Sequence, residues 1–166
     1  MLRRKFIVTF LSAIAAMGAV AAIPQSAQAA QSCTLSFNAM GGVSVPAKTS
    51  VCGVKITAPS TTKVGARFLG WDTSSTASSV HWSAGSLVPN NDQVLYAVWQ
   101  YTVSFNANGH GVAPGSIQVP NGNVTPVPSM TSSGYTFKGW CVGQAVCSSP
   151  VIRLMVTGNV TLYAKW

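Results

Sequence analysis

The sequence predicts a mainly β protein made of two small tandem modules arranged end to end. Three observations carry that prediction. First, short motifs return in the same order. Thr34-Leu35-Ser36-Phe37-Asn38-Ala39 recurs as Thr102-Val103-Ser104-Phe105-Asn106-Ala107. Phe68-Leu69-Gly70-Trp71 recurs as Phe137-Lys138-Gly139-Trp140, and Leu95-Tyr96-Ala97-Val98-Trp99 as Leu162-Tyr163-Ala164-Lys165-Trp166. Second, these motifs alternate apolar and polar residues, the period of a half-buried strand. Third, no stretch after the N-terminal region keeps a long 3.6-residue apolar period. The repeat offset of about 68 residues exceeds the roughly 20–50 residues of solenoid repeats, so each copy is read as a bead with its own core.

The N-terminus reads as a leader. Arg3, Arg4 and Lys5 precede an apolar run from Phe6 to Ile23, Pro24 breaks it, and Ala27-Gln28-Ala29 supplies a small-x-small cleavage pattern. Residues 1–29 are therefore expected to be a signal peptide removed after Ala29. The Ala/Gly-rich core and the cleavage pattern favour removal over retention as an anchor. Arg3-Arg4-Lys5-Phe6-Ile7 also resembles a twin-arginine signal, and the choice between the two export routes stays open. No second long apolar run follows, so no membrane span is expected once the leader is gone.

Module one is placed at residues 30–99 and module two at 100–166. In the first copy, Leu35 and Phe37 share one strand face. In the second, Val103 and Phe105 do. The closing strand puts Leu162, Ala164 and Trp166 on one face and Tyr163 and Lys165 on the other. Asn121-Gly122 marks a tight turn. Pro126, Pro128 and Gly134 argue against a long helix between the second and third strands, leaving room for one short helical turn per copy. Only Gln100 separates Trp99 from Tyr101, so the joint is expected to be stiff.

Four cysteines in an exported chain are most simply two disulfides. Cys33 is expected just before the first strand of module one and Cys52 near the end of its second. Module two has Tyr101 and about Pro120 at those places, which suits a cross-strand pair. Cys141 and Cys147 lie close together after Gly139-Trp140. The expected pairs are Cys33–Cys52 and Cys141–Cys147.

The stretch Asn106-Ala107-Asn108-Gly109-His110-Gly111 could be a ligand cradle or a turn. Module one carries Asn38-Ala39-Met40-Gly41-Gly42 there, without the second amide or the imidazole. A cradle inherited with the repeat would keep its polar groups, so the stretch is read as a turn in which Asn and Gly supply left-handed backbone.

Catalytic chemistry is poorly provided for. Asp72 and Asp92 are the only acids, both near the polar loop of module one, and His81 has no nucleophile elbow beside it. No catalytic residue, metal site or cofactor is expected. His81 and His110 sit in different copies, and the cysteines lack paired C-x-x-C spacing. Four of the five tryptophans, Trp71, Trp99, Trp140 and Trp166, are repeat positions and so belong to cores. Trp82 has no counterpart and is expected to fill the place of Val151 or Ile152.

The residues now carry a resemblance. Tyr101–Gly109, Gly134–Trp140 and Val156–Trp166 are similar to the Listeria–Bacteroides repeat, or internalin B-repeat, family. Thr34–Ala39, Phe68–Trp71 and Leu95–Trp99 match it again, with Ala66-Arg67 where the family usually has Gly-Tyr-Thr. Phe37, Gly70, Trp71, Tyr96 and Trp99 form the motif in copy one, and Phe105, Gly139, Trp140, Tyr163 and Trp166 in copy two. The resemblance implies a β-grasp-like unit of α+β type: a small mixed sheet with at most one short helix across it. It also implies a bacterial surface or secreted protein and no catalytic residues.

The whole chain carries a net charge of +8. Lys48, Lys55, Lys63 and Arg67 lie close together in module one with no acid among them. A basic face of this kind attracts polyanions by screened Coulomb forces. The expected function is an exported, non-catalytic binding or adhesion module of the envelope or surface. Its partners would be anionic polysaccharide, cell-wall polymer or a host surface protein, with no nucleic acid among them. The alternative is a structural spacer, and a small secreted hydrolase is a distant third.

Overall fold

The computed structural model describes residues 29–143 and 150–166. The leader assigned to residues 1–29 therefore lies outside the described residues, apart from Ala29, and so does Cys147. No helix among the described residues is long and apolar enough to cross a membrane.

Among the described residues, eleven strands follow in chain order. They are β1 (Ser32–Asn38), β2 (Lys48–Val51), β3 (Lys55–Thr57), β4 (Arg67–Asp72), β5 (Leu87–Pro89), β6 (Gln93–Asn106), β7 (Ile117–Pro120), β8 (Val124–Pro126), β9 (Gly139–Val142), β10 (Arg153–Met155) and β11 (Val160–Lys165). Strand β6 is the organising element. It runs 14 residues without a break and belongs to both copies. Its first part pairs in parallel with β1 at Gln93–Tyr96 and antiparallel with β4 at Tyr96–Gln100. Its second part pairs antiparallel with β7 at Gln100–Val103 and in parallel with β11 at Val103–Asn106. Strand β2 extends β1, and β9 extends β11, both antiparallel. Each copy is thus a four-stranded mixed sheet in the order second, first, last, third strand. The two sheets are one, because the last strand of copy one is the first strand of copy two.

The core follows from alternation along β6. Leu95, Ala97, Trp99, Tyr101, Val103 and Phe105 are buried on one face, while Tyr96, Gln100, Thr102 and Ser104 are half-exposed on the other. Leu35 of β1 and Leu162 of β11 continue the buried row. Two short ribbons close the core from that side. Strand β3 pairs with β5, and β8 with β10. Ile56 and Val88 from the first ribbon, and Leu154 with the adjoining Val156 from the second, pack into one cluster with the sheet residues. The short helix allowed from sequence is absent among the described residues. The segment with Pro126 and Pro128 runs extended into a ribbon, because prolines lack the donor a helix needs.

Disulfide Cys33–Cys52 forms as expected. Its setting differs slightly from the sequence reading. Cys33 lies inside β1, and Cys52 follows β2 directly. Cys52 corresponds to Asn121, not to Pro120. The Cys52 N–H donates to the Gln31 carbonyl at 2.9 Å, as the Asn121 N–H donates to Trp99 at 2.8 Å. Cys141 is also disulfide-bonded, and its expected partner Cys147 lies outside the described residues.

Candidate binding surface

The repeated side chains are structural, and each has the same job twice. Trp71 is fully buried and its indole N–H donates to the Pro59 carbonyl at 2.7 Å. Trp140, equally buried, donates to Pro128. The Trp99 indole donates to Ala39 at 3.0 Å, and the Trp166 indole to Ala107 at 2.9 Å. Phe37 stands edge-on to Trp71 at 5.0 Å, and Phe105 meets Trp140 at 4.9 Å. Phe68 bridges Trp71 and Trp99 just as Phe137 bridges Trp140 and Trp166. Edge-to-face pairs of this kind stabilise beyond their buried area. Gly70 and Gly139 have positive φ, and a Cβ would strike Val80 and the Trp82 carbonyl at the first or Pro150 at the second. Tyr96 and Tyr163 sit half-exposed on the outer face.

The turns are shared between copies in the same way. Asn38 Oδ1 accepts the Met40 N–H at 3.0 Å, and Asn106 Oδ1 accepts the Asn108 N–H at 2.8 Å. These are Asx turns. His110 lies against Tyr135, with ring centroids 3.8 Å apart, and near the edge of Trp166. Its surroundings are aromatic rings.

Both acids are engaged locally. Asp92 Oδ1 accepts the Thr34 N–H at 2.6 Å, a place that Asn159 takes for Thr102 at 2.9 Å. Asp72 Oδ1 accepts the Ser74 N–H at 2.9 Å. His81 stacks on Trp82 with centroids 4.0 Å apart. Among the described residues no group of three His, Cys, Asp or Glu side chains comes together to hold a metal.

The four basic residues do not act as one cluster. Lys48 and Lys55 are exposed on β2 and β3, and the Lys48 ammonium donates to the Thr57 carbonyl at 3.1 Å, which holds it beside β3. Arg67 is exposed on β4 and reaches Gln100 Oε1 at 3.4 Å. Lys63 turns inward instead. It donates to the Met40 carbonyl at 2.9 Å and to the Tyr101 hydroxyl at 3.0 Å. Its ammonium also stands 5.8 Å from the Trp99 ring and 5.7 Å from the Tyr101 ring. Lys63 is thus a rivet between the copies. Other exposed cations lie in copy two, at Lys138 and Arg153.

Sequence reasoning missed Asn90. It is fully buried and its amide donates to the Cys33 carbonyl at 2.6 Å and to Ser50 Oγ at 3.1 Å. Its Oδ1 has no partner. The backbone of Asn90 bonds Val54 and Gly53 as that of Val156 bonds Asn123 and Gly122. The two residues are therefore equivalent, and a length difference before Asp92 and Asn159 hides it in the sequence.

This duplicated framework defines a tandem-repeat β module. The chain belongs to the Listeria-Bacteroides repeat domain family, whose profile matches residues 34–98 and 101–165. Two proteins of Evansella cellulosilytica are similar to it, named "Putative membrane protein" and "Putative Gly-rich membrane protein". Each is 30% identical over 139 residues covering 80% of this chain. The match takes in 21% of the first relative and 16% of the second, so the chain spans about a fifth of their length or less. No solved structure matches the chain.

Proposed function

We propose that the protein is an exported, non-catalytic repeat module of the bacterial envelope or surface that binds anionic polymer through exposed cations. The observation that carries this reading is the disposition of charge. Both carboxylates are tied to backbone N–H groups, while Lys48, Lys55, Arg67, Lys138 and Arg153 are exposed. A polyanion meets a surface of one dominant sign, and the attraction weakens over a Debye length of about 8 Å at physiological salt. The membrane-protein names of the relatives and the leader-like N-terminus support an envelope setting.

Retention of residues 30–166 on heparin and on teichoic-acid matrices tests it. The chain is retained at low salt and released as salt rises. Lys55→Gln with Arg67→Gln shifts release to lower salt. Failure of the unmodified chain to bind at low salt removes the proposal. A second reading, a rigid spacer, is favoured by β6 running unbroken through Gln100 and by Lys63 pinning Tyr101. A clean negative across a panel of anionic glycans and host proteins selects it.

A further inference from the structure

One difference between the copies leaves a hole. Trp71 bridges Trp82 in copy one, and Trp140 bridges Val151 in copy two. The main-chain bonds correspond, since the Trp82 N–H donates to the Trp71 carbonyl at 3.0 Å and the Val151 N–H to the Trp140 carbonyl at 2.8 Å. Both side chains are partly buried and pack against the core cluster. Copy one thus places an indole where copy two places an isopropyl group.

Copy two has a pocket of about 180 Å³ at that place. Val127, Pro128, Phe137, Trp140, Val151 and Ile152 line most of it. Phe137 and Trp140 present two rings 68° apart, with centroids separated by 5.4 Å. The Trp140 indole N–H is already committed to the Pro128 carbonyl. Among the described lining residues, Ser129 carries the one polar side chain besides the indole. A sugar would lose the hydration of its hydroxyls here and find few partners. Ile152 is mostly exposed at the rim, so the pocket has a route in from solvent.

We propose that this pocket is a binding site for one planar aromatic ring system, of the size of the indole that copy one supplies from its own Trp82. The backbone position beside Trp140 is taken by Val151, so the ligand enters ring-first and adds no strand. The ring fills the space between Phe137 and Val151 and meets Trp140 edge to face. This reading is independent of the cationic surface, which shares no residue with the pocket.

NMR titration of residues 30–166 with free indole, and separately with N-acetyl-tryptophanamide, tests it. Saturable shifts are expected at Phe137, Val151 and the Trp140 indole N–H. Binding by indole alone assigns the site to a small aromatic molecule. Binding by both extends it to a tryptophan side chain borne on a peptide. Val151→Trp fills the pocket from within and weakens binding by about tenfold or more. Trp82→Val opens the matching space in copy one and adds a second site. If that variant does not fold, the Val151→Trp loss decides alone. Absence of saturable shifts with either probe, or binding untouched by Val151→Trp, overturns the proposal.

Discussion

Copy one and copy two hold the same frame and fill it differently. The frame is the aromatic ladder, the indole bonds to Pro59 and Pro128, the Asx turns at Asn38 and Asn106, and the caps from Asp92 and Asn159. The fillings are Asn90 against Val156, Trp82 against Val151, Lys63 against Ser132 and Met40 against Asn108. Frame residues satisfy a buried backbone group or hold the sheet together, so a change in either copy would leave that group unpaired. Fillings differ between the copies, even where one copy's side chain also bonds a backbone carbonyl, as Asn90 and Lys63 do. The comparison therefore separates what the fold requires from what one copy adds for its own stability or contacts.

The largest test concerns the frame. Trp71→Ala and Trp140→Ala each remove a fully buried indole and its bond to a proline carbonyl. Each should cost about 3–5 kcal/mol, read by urea denaturation. Nearly equal losses are expected, because the two indoles share their ring and proline contacts and differ only at Trp82 against Val151. Losses that differ by more than about 1 kcal/mol would show that the pocket beside Trp140 already weakens its packing.

The next test concerns the staple peculiar to copy one. Cys33 and Cys52 are 19 residues apart in sequence. Replacing both by serine frees that loop in the unfolded chain and should cost about 3 kcal/mol. The damage should appear first in copy one, as faster hydrogen exchange in β1 and β2 than in β7. Asn90 lies in the same corner, bonding the Cys33 carbonyl with an orphaned oxygen of its own. Uniform loss of protection across both copies would mean that β6 couples them into one cooperative unit.

Much of the frame was legible in the sequence, because a frame residue must recur. The offset marked Trp71, Trp99, Trp140 and Trp166 as core, of which the first three are buried and Trp166 is half-buried against them, and it placed Trp82 opposite Val151 or Ile152. The fillings were less legible. Lys63 reads as one more cation among Lys48, Lys55 and Arg67, and only the third dimension brings Tyr101 to it. Asn90 was missed because one extra residue in copy two breaks the alignment beside it. A buried asparagine in a polar loop also looks like any exposed one. The two ribbons were not foreseen as ribbons, since strands of three residues give too little alternation to read.

The joint offers a smaller effect. Lys63→Ser gives copy one the residue that copy two has. It removes the bonds to Met40 and Tyr101 and the cation over two rings. A loss of about 1–2 kcal/mol is expected. Residual dipolar couplings should then show the two halves reorienting, since Tyr101 loses its rivet. Unchanged couplings would assign the stiffness of the joint to β6 alone.

The smallest effect lies in the first turn. Met40 and Asn108 hold the same left-handed backbone, with φ of 51° and 53°. A left-handed residue with a Cβ costs roughly 1–2 kcal/mol, and asparagine tolerates the region better than other side chains. Copy two has the suited residue, and copy one does not. Met40→Asn should therefore stabilise the protein, by about 0.5–1 kcal/mol after the lost packing of the Met40 side chain is counted. Asn108→Met should destabilise it by a similar amount, with the added loss of the Asn108 amide bond to the Ala164 carbonyl. The pair of thermal melts decides whether this turn belongs to the frame. Opposite signs mean that backbone strain governs the position. A loss in both would mean that Met40 is held for its contacts with the core, and that copy one tolerates the strain to keep them.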